Sequence, residues 1–258
     1  MTGGHEQQVR QQFGAAAAAY VTSAAHAGGE DLQRLVAWGR SRRPGRVLDV
    51  ATGGGHTALA FAEFSTRVVA VDVTEPMLIA ARRFLDGRGV GNIALTAGTV
   101  EALPFRDAAF PLVTCRIAAH HFANPAAAVR EIARVLTPGG SFLVQDILGH
   151  DDPELAAFVT EVERRRDPSH VRAYREREWK AMLKGAGLTV IEQAIIRKSR
   201  RWDDWTSRMR MTPEAKRALD AFVHAAPGAH RSAFEFTLTA TGVESFADRL
   251  ILLRADKD

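Results

Sequence analysis

Residues 47–55 read VLDVATGGG, an apolar β-branched run that carries Asp49 and breaks into three glycines. The run has strand character, the glycines make a tight turn, and HTALAFAEF (56–64) follows with helical spacing. The pattern then repeats outward. RVVAVDV (67–73) is a strand, PMLIAARRFLDGRG (76–89) a helix with Pro76 in its first turn, and NIALTAG (92–98) a strand. PLVTCRIA (111–118) is a strand, PAAAVREIARVL (125–136) a helix broken by TPGG, and SFLVQDIL (141–148) a strand. Strands that alternate with amphipathic helices predict βαβ units with right-handed crossovers. The expected fold is α/β: a doubly wound, mostly parallel, seven-stranded sheet with both faces covered.

The flanks read differently. Residues 5–40 look helical, as do 153–187 and, restarted by Pro213, 203–225. LTVIEQAIIRK (188–198), FEFTLTA (234–240) and ADRLILLRA (247–255) read as strands. The last two are too close for a crossover, so at least one late strand runs antiparallel. The expected organisation is one domain over 1–258. A helical arm (1–40) precedes the core (41–150), and helical insertions with the final strands (151–258) follow.

Composition sets limits on partners. Apolar residues make up 46% and charged residues 25%, an ordinary globular balance, and no apolar run reaches 18 residues. The net charge of +4 is too small to argue for nucleic acid. One cysteine excludes an internal disulfide and permits a reducing compartment, so a cytoplasmic location is expected and a homo-oligomer is left open. FGAAAAAYV (13–21) followed by AHA has a faint leader-like look, but His5, Glu6 and four glutamines precede it and a helix is the better reading.

In such a sheet, ligands sit outside the carboxyl ends of the strands, where VLDVATGGG ends. Gly53, Gly55 and Ala58 satisfy the dinucleotide pattern G-x-G-x-x-[GA]. Asp72 ends the second strand, where an acid accepts the ribose hydroxyls and repels a 2′-phosphate. The glycines would equally serve tight strand–helix packing. Asp49 separates the ligands better, because a carboxylate repels a pyrophosphate and attracts an ammonium group. A ligand with adenosine at one end and an amino acid at the other satisfies both acids, and S-adenosylmethionine is that ligand.

The chain resembles the class I S-adenosylmethionine-dependent methyltransferases in several segments: VLDVATGGG, VVAVDVTEPML (68–78), VEALPF (100–105), HHFANP (120–125) and REIARVLTPGG (130–140). FGAAAAAY (13–20) resembles the arm of the ubiquinone/menaquinone-biosynthesis type. The resemblance implies that Asp49 and the backbone of Ala51 and Gly53 hold the methionine end. It also implies that Asp72 holds the ribose, that Val73 and Met77 pack on the adenine, and that Thr99 and Val100 edge it. Tyr20 would help close the site. The chain departs at Ala51, where the family carries a glycine, and at Thr99 and Pro111, where it carries Asp. Thr99 offers the adenine amine a hydroxyl without charge.

Methyl transfer needs an aligned nucleophile, exclusion of water and, for some acceptors, a base. CRIAAHHF (115–122) ends the fourth strand and places Arg116, His120 and His121 at the acceptor end as catalytic candidates. Each His is a plausible base or a helix cap, and Arg116 either binds a substrate carboxylate or pairs with an internal acid. Cys115 reads as buried and inert. Asp146, Asp151 and Asp152 could gather around Mg²⁺, but capping of the helix at Pro153 explains Asp152 as well, and no metal is expected. The Arg-rich segment 161–179, with RKSRR (197–201), Trp179 and Trp202, reads either as solvated helix faces or as a basic, partly aromatic lid. In the second reading His170 and Tyr174 face the substrate. A small molecule is the expected acceptor. The alternatives are an NAD-dependent oxidoreductase, for which no Tyr-x-x-x-Lys pair is evident, and a protein that binds the methyl donor without turnover.

Overall fold

The computed structural model describes residues 2–258. The arm folds as α1 (Thr2–Val21), α2 (Ala24–Ala27) and α3 (Glu30–Ser41). The core follows as β1 (Arg46–Val50), α4 (His56–Ala62), β2 (Arg67–Asp72), α5 (Glu75–Asp86), β3 (Ile93–Ala97), β4 (Phe110–Arg116), a 3₁₀ turn (Ala119–His121), α6 (Pro125–Val135) and β5 (Leu136–Ile147). The remainder is α7 (Pro153–Arg166), α8 (Glu176–Gly185), β6 (Leu188–Arg201), α9 (Trp202–Arg208), α10 (Pro213–Ala225), α11 (Gly228–Ala233), β7 (Thr237–Leu238) and β8 (Val243–Lys257).

The sheet order is β3-β2-β1-β4-β5-β8-β6, with the short β7 on β8. Strands β1 to β5 pair in parallel, and β8 runs antiparallel to both β5 and β6. The order reverses between β1 and β4, which opens a crevice at their carboxyl ends. On one face Leu35, Phe61 and Phe84 of α3, α4 and α5 pack on Val47, Val68 and Leu112. On the other, Ile132 of α6 and Trp179 and Leu183 of α8 pack on Val113, Val144 and Leu253. Both faces are apolar because both are covered.

Several boundaries differ from the sequence-based expectation. The helical stretch 153–187 is interrupted at 167–175. Pro168 disfavours the helical conformation at Asp167, and the Asp167 side chain instead accepts the Ser169 amide at 3.0 Å in a local turn. TPGG (137–140) lies inside β5 as a bulge, opposite Pro111, which has no N–H to pair. FEFTLTA contracts to Thr237–Leu238 because Phe234 and Phe236 turn into a third core. That core, with Phe158, Trp202, Trp205 and Phe246, seats α7, α9 and α10 beside the far end of β8. Trp179 and Trp202 are fully buried, so neither belongs to a surface lid.

Candidate active site

A cavity of about 300 Å³ opens at the carboxyl ends of β1, β2 and β4. Its floor is the glycine turn. Ala51 and Gly53 both take left-handed backbone, at φ 52° and 55°. For Ala51 this costs energy that packing must repay. A Cβ on Gly54 would stand 3.2 Å from Val21 Cα and 3.4 Å from Tyr20 C, so the end of α1 lies directly against the turn. The His56 ring fixes it there by donating to the Tyr20 carbonyl at 3.1 Å. Gly55 begins α4 and faces Ala81 and Leu85 of α5 rather than the cavity.

Asp72 lies in the cavity wall, and its two oxygens accept the Gly53 and Thr74 amides, each at 2.8 Å. Burial raises its pKa against those bonds. Val73, Met77, Thr99 and Val100 continue the wall. Thr99 donates to Glu101 at 2.6 Å, and Glu101 itself lines the cavity. The charge absent at position 99 is therefore present two residues on, held in place by the Thr99 hydroxyl.

Asp49 is placed differently from the expectation. Its carboxylate does not line the cavity, because Thr52 and Thr114 donate to its two oxygens at 2.6 and 2.7 Å. Burial, opposed by these hydroxyls, raises its pKa from 3.8 to about 6. It braces the turn from behind.

Past the end of β4 the histidines separate. His120 is outside the cavity, its Nδ1 2.5 Å from Asp146 Oδ1 and its amide donating to Asp146 Oδ2. Burial opposes its charge, but Asp146 prevails and raises its pKa. That makes His120 a structural partner of Asp146, and explains why Asp146 joins no acidic group with Asp151 and Asp152. His121 does line the cavity. Its Nδ1 meets the Ser169 carbonyl and hydroxyl at 3.1 and 3.2 Å, and its Nε2 lies 3.7 Å from Asp167 Oδ2. Burial and the charge of His120 lower its pKa to about 4, so it is neutral near pH 7. Phe13 packs edge-on against its ring.

Arg116 borders the cavity but is engaged: Nε and Nη2 bond Asp31 at 3.1 and 2.6 Å, and Nη1 the His26 carbonyl at 2.9 Å. Lys198 also reaches Asp31, at 3.0 Å. Burial opposes the Asp31 charge, yet Arg116 and Lys198 hold its pKa low. The internal acid, rather than a substrate carboxylate, is what Arg116 binds. His170 sits behind the wall, its ring 5.3 Å from that of His120. Tyr174 packs beside Trp179 in the core under α8, also away from the cavity. Neither occupies the substrate-side position expected of it. Cys115 is buried, with its thiol pKa pushed up by burial, and Asp152 caps α7 through the Glu154 and Leu155 amides.

The sequence reading missed Glu101, His26, Ile117, Asp31 and Asp167. Glu101 was legible as an acid just past β3. Ile117, a β-branched residue held at φ 55°, carries no signal in its type. Asp31 meets Arg116 across 85 residues, which no local pattern shows.

A family model described as a methyltransferase domain matches residues 48–144. The chain is 37% identical over 230 residues to the uncharacterized methyltransferase YcgJ of Bacillus subtilis (strain 168), spanning 89% of this chain and 91% of that protein. The crystal structure of the Bacillus YcgJ protein superposes with a TM-score of 0.84 at 36% identity, covering 88% of this chain and 97% of that one. A demethylmenaquinone methyltransferase of Thermus thermophilus is 40% identical over 121 residues, 45% of this chain and 54% of that protein.

Proposed function

This chain belongs to the class I S-adenosylmethionine-dependent methyltransferases, and from that premise we propose that it holds S-adenosylmethionine beneath α1 and methylates a small-molecule acceptor with His121 as base. The observation that carries the reading is the part of the cavity wall formed by the ends of β2 and β3, with the carboxylates of Asp72 and Glu101 beside the apolar Val73, Met77 and Val100. That donor set fits a diol, a flat amine-bearing ring and a polar tail. When bound, S-adenosylmethionine supplies an electrophilic methyl group on a sulfonium.

The chain's own residues do the rest. Asp72 spends one acceptor position per oxygen on an amide and keeps the others for the ribose hydroxyls. Glu101, fixed by Thr99, accepts from the adenine amine. The backbone of Ala51 and Gly53 receives the methionine end, and Asp49 stiffens that turn through Thr52. Phe13 and Tyr20, both in the wall, exclude water. His121, neutral at pH 7, takes a proton from the acceptor, and Asp167 Oδ2, buried without a hydrogen-bond partner, steadies the resulting imidazolium. No helix among the described residues is long and apolar enough to cross a membrane. The lone thiol is buried, and we place the protein in the cytoplasm, with no nucleic acid among its partners.

Calorimetric titration tests the binding half. Micromolar affinity for S-adenosylmethionine and none for NAD is expected, and the reverse overturns the reading. Release of S-adenosylhomocysteine against a panel of metabolites tests turnover, and silence across the panel favours a binding protein. His121→Asn should lower kcat about 10²- to 10³-fold with donor affinity within about threefold. Equal loss of both parameters removes the base.

A further inference from the structure

The cavity follows the strand order of the sheet. The segments that end β3 and β2 carry Val100 and Asp72, and the next ends along the sheet are those of β1 and β4. Adenosine takes the first pair in the reading above, which leaves the second to the amino-acid tail. Asp49, the acid expected to meet that tail, is turned behind the turn toward Thr52 and Thr114. The Ala51 and Gly53 backbone therefore stands there without its carboxylate.

His26 of α2 lines the same cavity. Three contacts fix its place at the β1 and β4 end. Val50 of β1 pairs with Cys115 of β4, so Arg116 lies one residue on, level with Ala51, and its Nη1 donates to the His26 carbonyl at 2.9 Å. The Tyr20 ring lies 5.0 Å from the His26 ring, and Tyr20 is itself held to the start of α4 by His56 at 3.1 Å. Ser23 Oγ lies 2.8 Å from His26 Nδ1. The other ring nitrogen, Nε2, has no hydrogen-bond partner among the described residues. Neighbouring nitrogen side chains are already engaged, His56 with the Tyr20 carbonyl and Arg116 with Asp31. A ring that is fixed before binding and keeps one nitrogen open to a cavity loses little entropy when a ligand pairs with it.

Burial and the charges of Arg208, Arg116 and Arg200 hold the His26 pKa well below its ordinary value, so the ring is neutral. The same cations favour a negative group at the open nitrogen. With the Ser23 hydroxyl donating to Nδ1, Nε2 carries the ring proton and donates.

We propose that His26, oriented by Ser23 and clamped by Arg116, binds the carboxylate of the methyl donor's amino-acid end through Nε2. This deepens the methyltransferase reading and rests on it for the identity of the donor. Recognition of the tail passes from the sheet to the arm, and the bound donor ties α2 to the ends of β1 and β4. The core reads adenosine, and a segment from outside the core reads the amino acid.

Calorimetric titration of the full chain with two ligands tests this. The probes are S-adenosylmethionine and its decarboxylated form, which keeps the adenosine, the sulfonium and the ammonium group and lacks only the carboxylate. Wild type should bind S-adenosylmethionine about 10- to 100-fold more tightly than the decarboxylated form. His26→Phe keeps a ring beside Tyr20 and removes both nitrogens. It should weaken S-adenosylmethionine by about that factor and leave the decarboxylated form within about twofold, so that the preference disappears. His26→Ala should do the same, and it judges the proposal where the larger ring does not fold. His26→Gln, which returns an N–H to the cavity, should recover part of the preference, and Ser23→Ala should lose part of it. Asp72→Ala is the control and should weaken both ligands alike. Equal weakening of both ligands by the His26 variants would show that the ring only shapes the arm, and would overturn the proposal. So would a preference that the variants leave intact, or wild type with no preference at all. Wild type that binds S-adenosylmethionine with a preference unmoved by His26 sinks the subsite alone. Wild type that binds neither ligand sinks the methyltransferase reading and the subsite with it.

Discussion

The two ends of the cavity are built on different principles. The end proposed for the donor is local: Gly53, Asp72, Thr74, Thr99 and Glu101 lie within a few residues of a strand end, and their bonds run to backbone amides or to the next turn. The end proposed for the acceptor is assembled from afar. Asp31 of α3 meets Arg116 of β4 and Lys198 of β6, and His121 meets Ser169 and Asp167. The parallel sheet alone positions the first, whereas the second exists only when the arm and the helical insertions have docked. One consequence is a difference in vulnerability, since a single lost partner at the acceptor end strands a buried charge.

The largest effect should therefore come from Asp31→Asn. Arg116 and Asp31 are at most 3% exposed in their side chains, and removing the carboxylate takes the buried counter-charge from Arg116. A loss of about 3–5 kcal/mol in denaturant unfolding is expected. A loss below about 1 kcal/mol would show that the acceptor end tolerates what the comparison forbids. Asp72→Ala should next weaken S-adenosylmethionine binding by about 100-fold in calorimetry while costing less stability, because Gly53 and Thr74 remain on local turns. Weakening below about tenfold would remove Asp72 from the donor site.

Asp49→Asn is sharper, since stability and binding should move in opposite directions. A folded pKa of about 6 against 3.8 means that the carboxyl stabilises the fold when protonated, and that this contribution is lost as pH rises from about 4 through 6. At pH 7 the amide should thus be more stable than the acid by about 1–3 kcal/mol, with the difference vanishing below about pH 4. Donor affinity should fall, because the braced turn loses its charge. A variant less stable at pH 7 than wild type contradicts the assignment. The smallest effect is Glu101→Gln, for which about tenfold weaker donor binding and unaltered folding are expected. No change would return the adenine contact to Thr99 alone.

The sheet, its order of elements and the late antiparallel strand were legible because apolar periodicity and turn chemistry act over a few residues. The position of Asp72 was legible for the same reason: it ends β2 in the cavity wall, where its spacing placed it. Asp49 shows the limit: its position was readable but not its orientation, which depends on Thr114 from a neighbouring strand. His120 and His121 are adjacent and chemically identical in sequence, and only packing sends one to Asp146 and the other into the cavity. The chain by itself determined a doubly wound sheet with the glycine turn VLDVATGGG at its crevice. Tertiary structure alone decided which charges are neutralised and which histidine lines the cavity. Those outcomes depend on burial and on partners supplied from distant segments, and neither is encoded in any local run of residues.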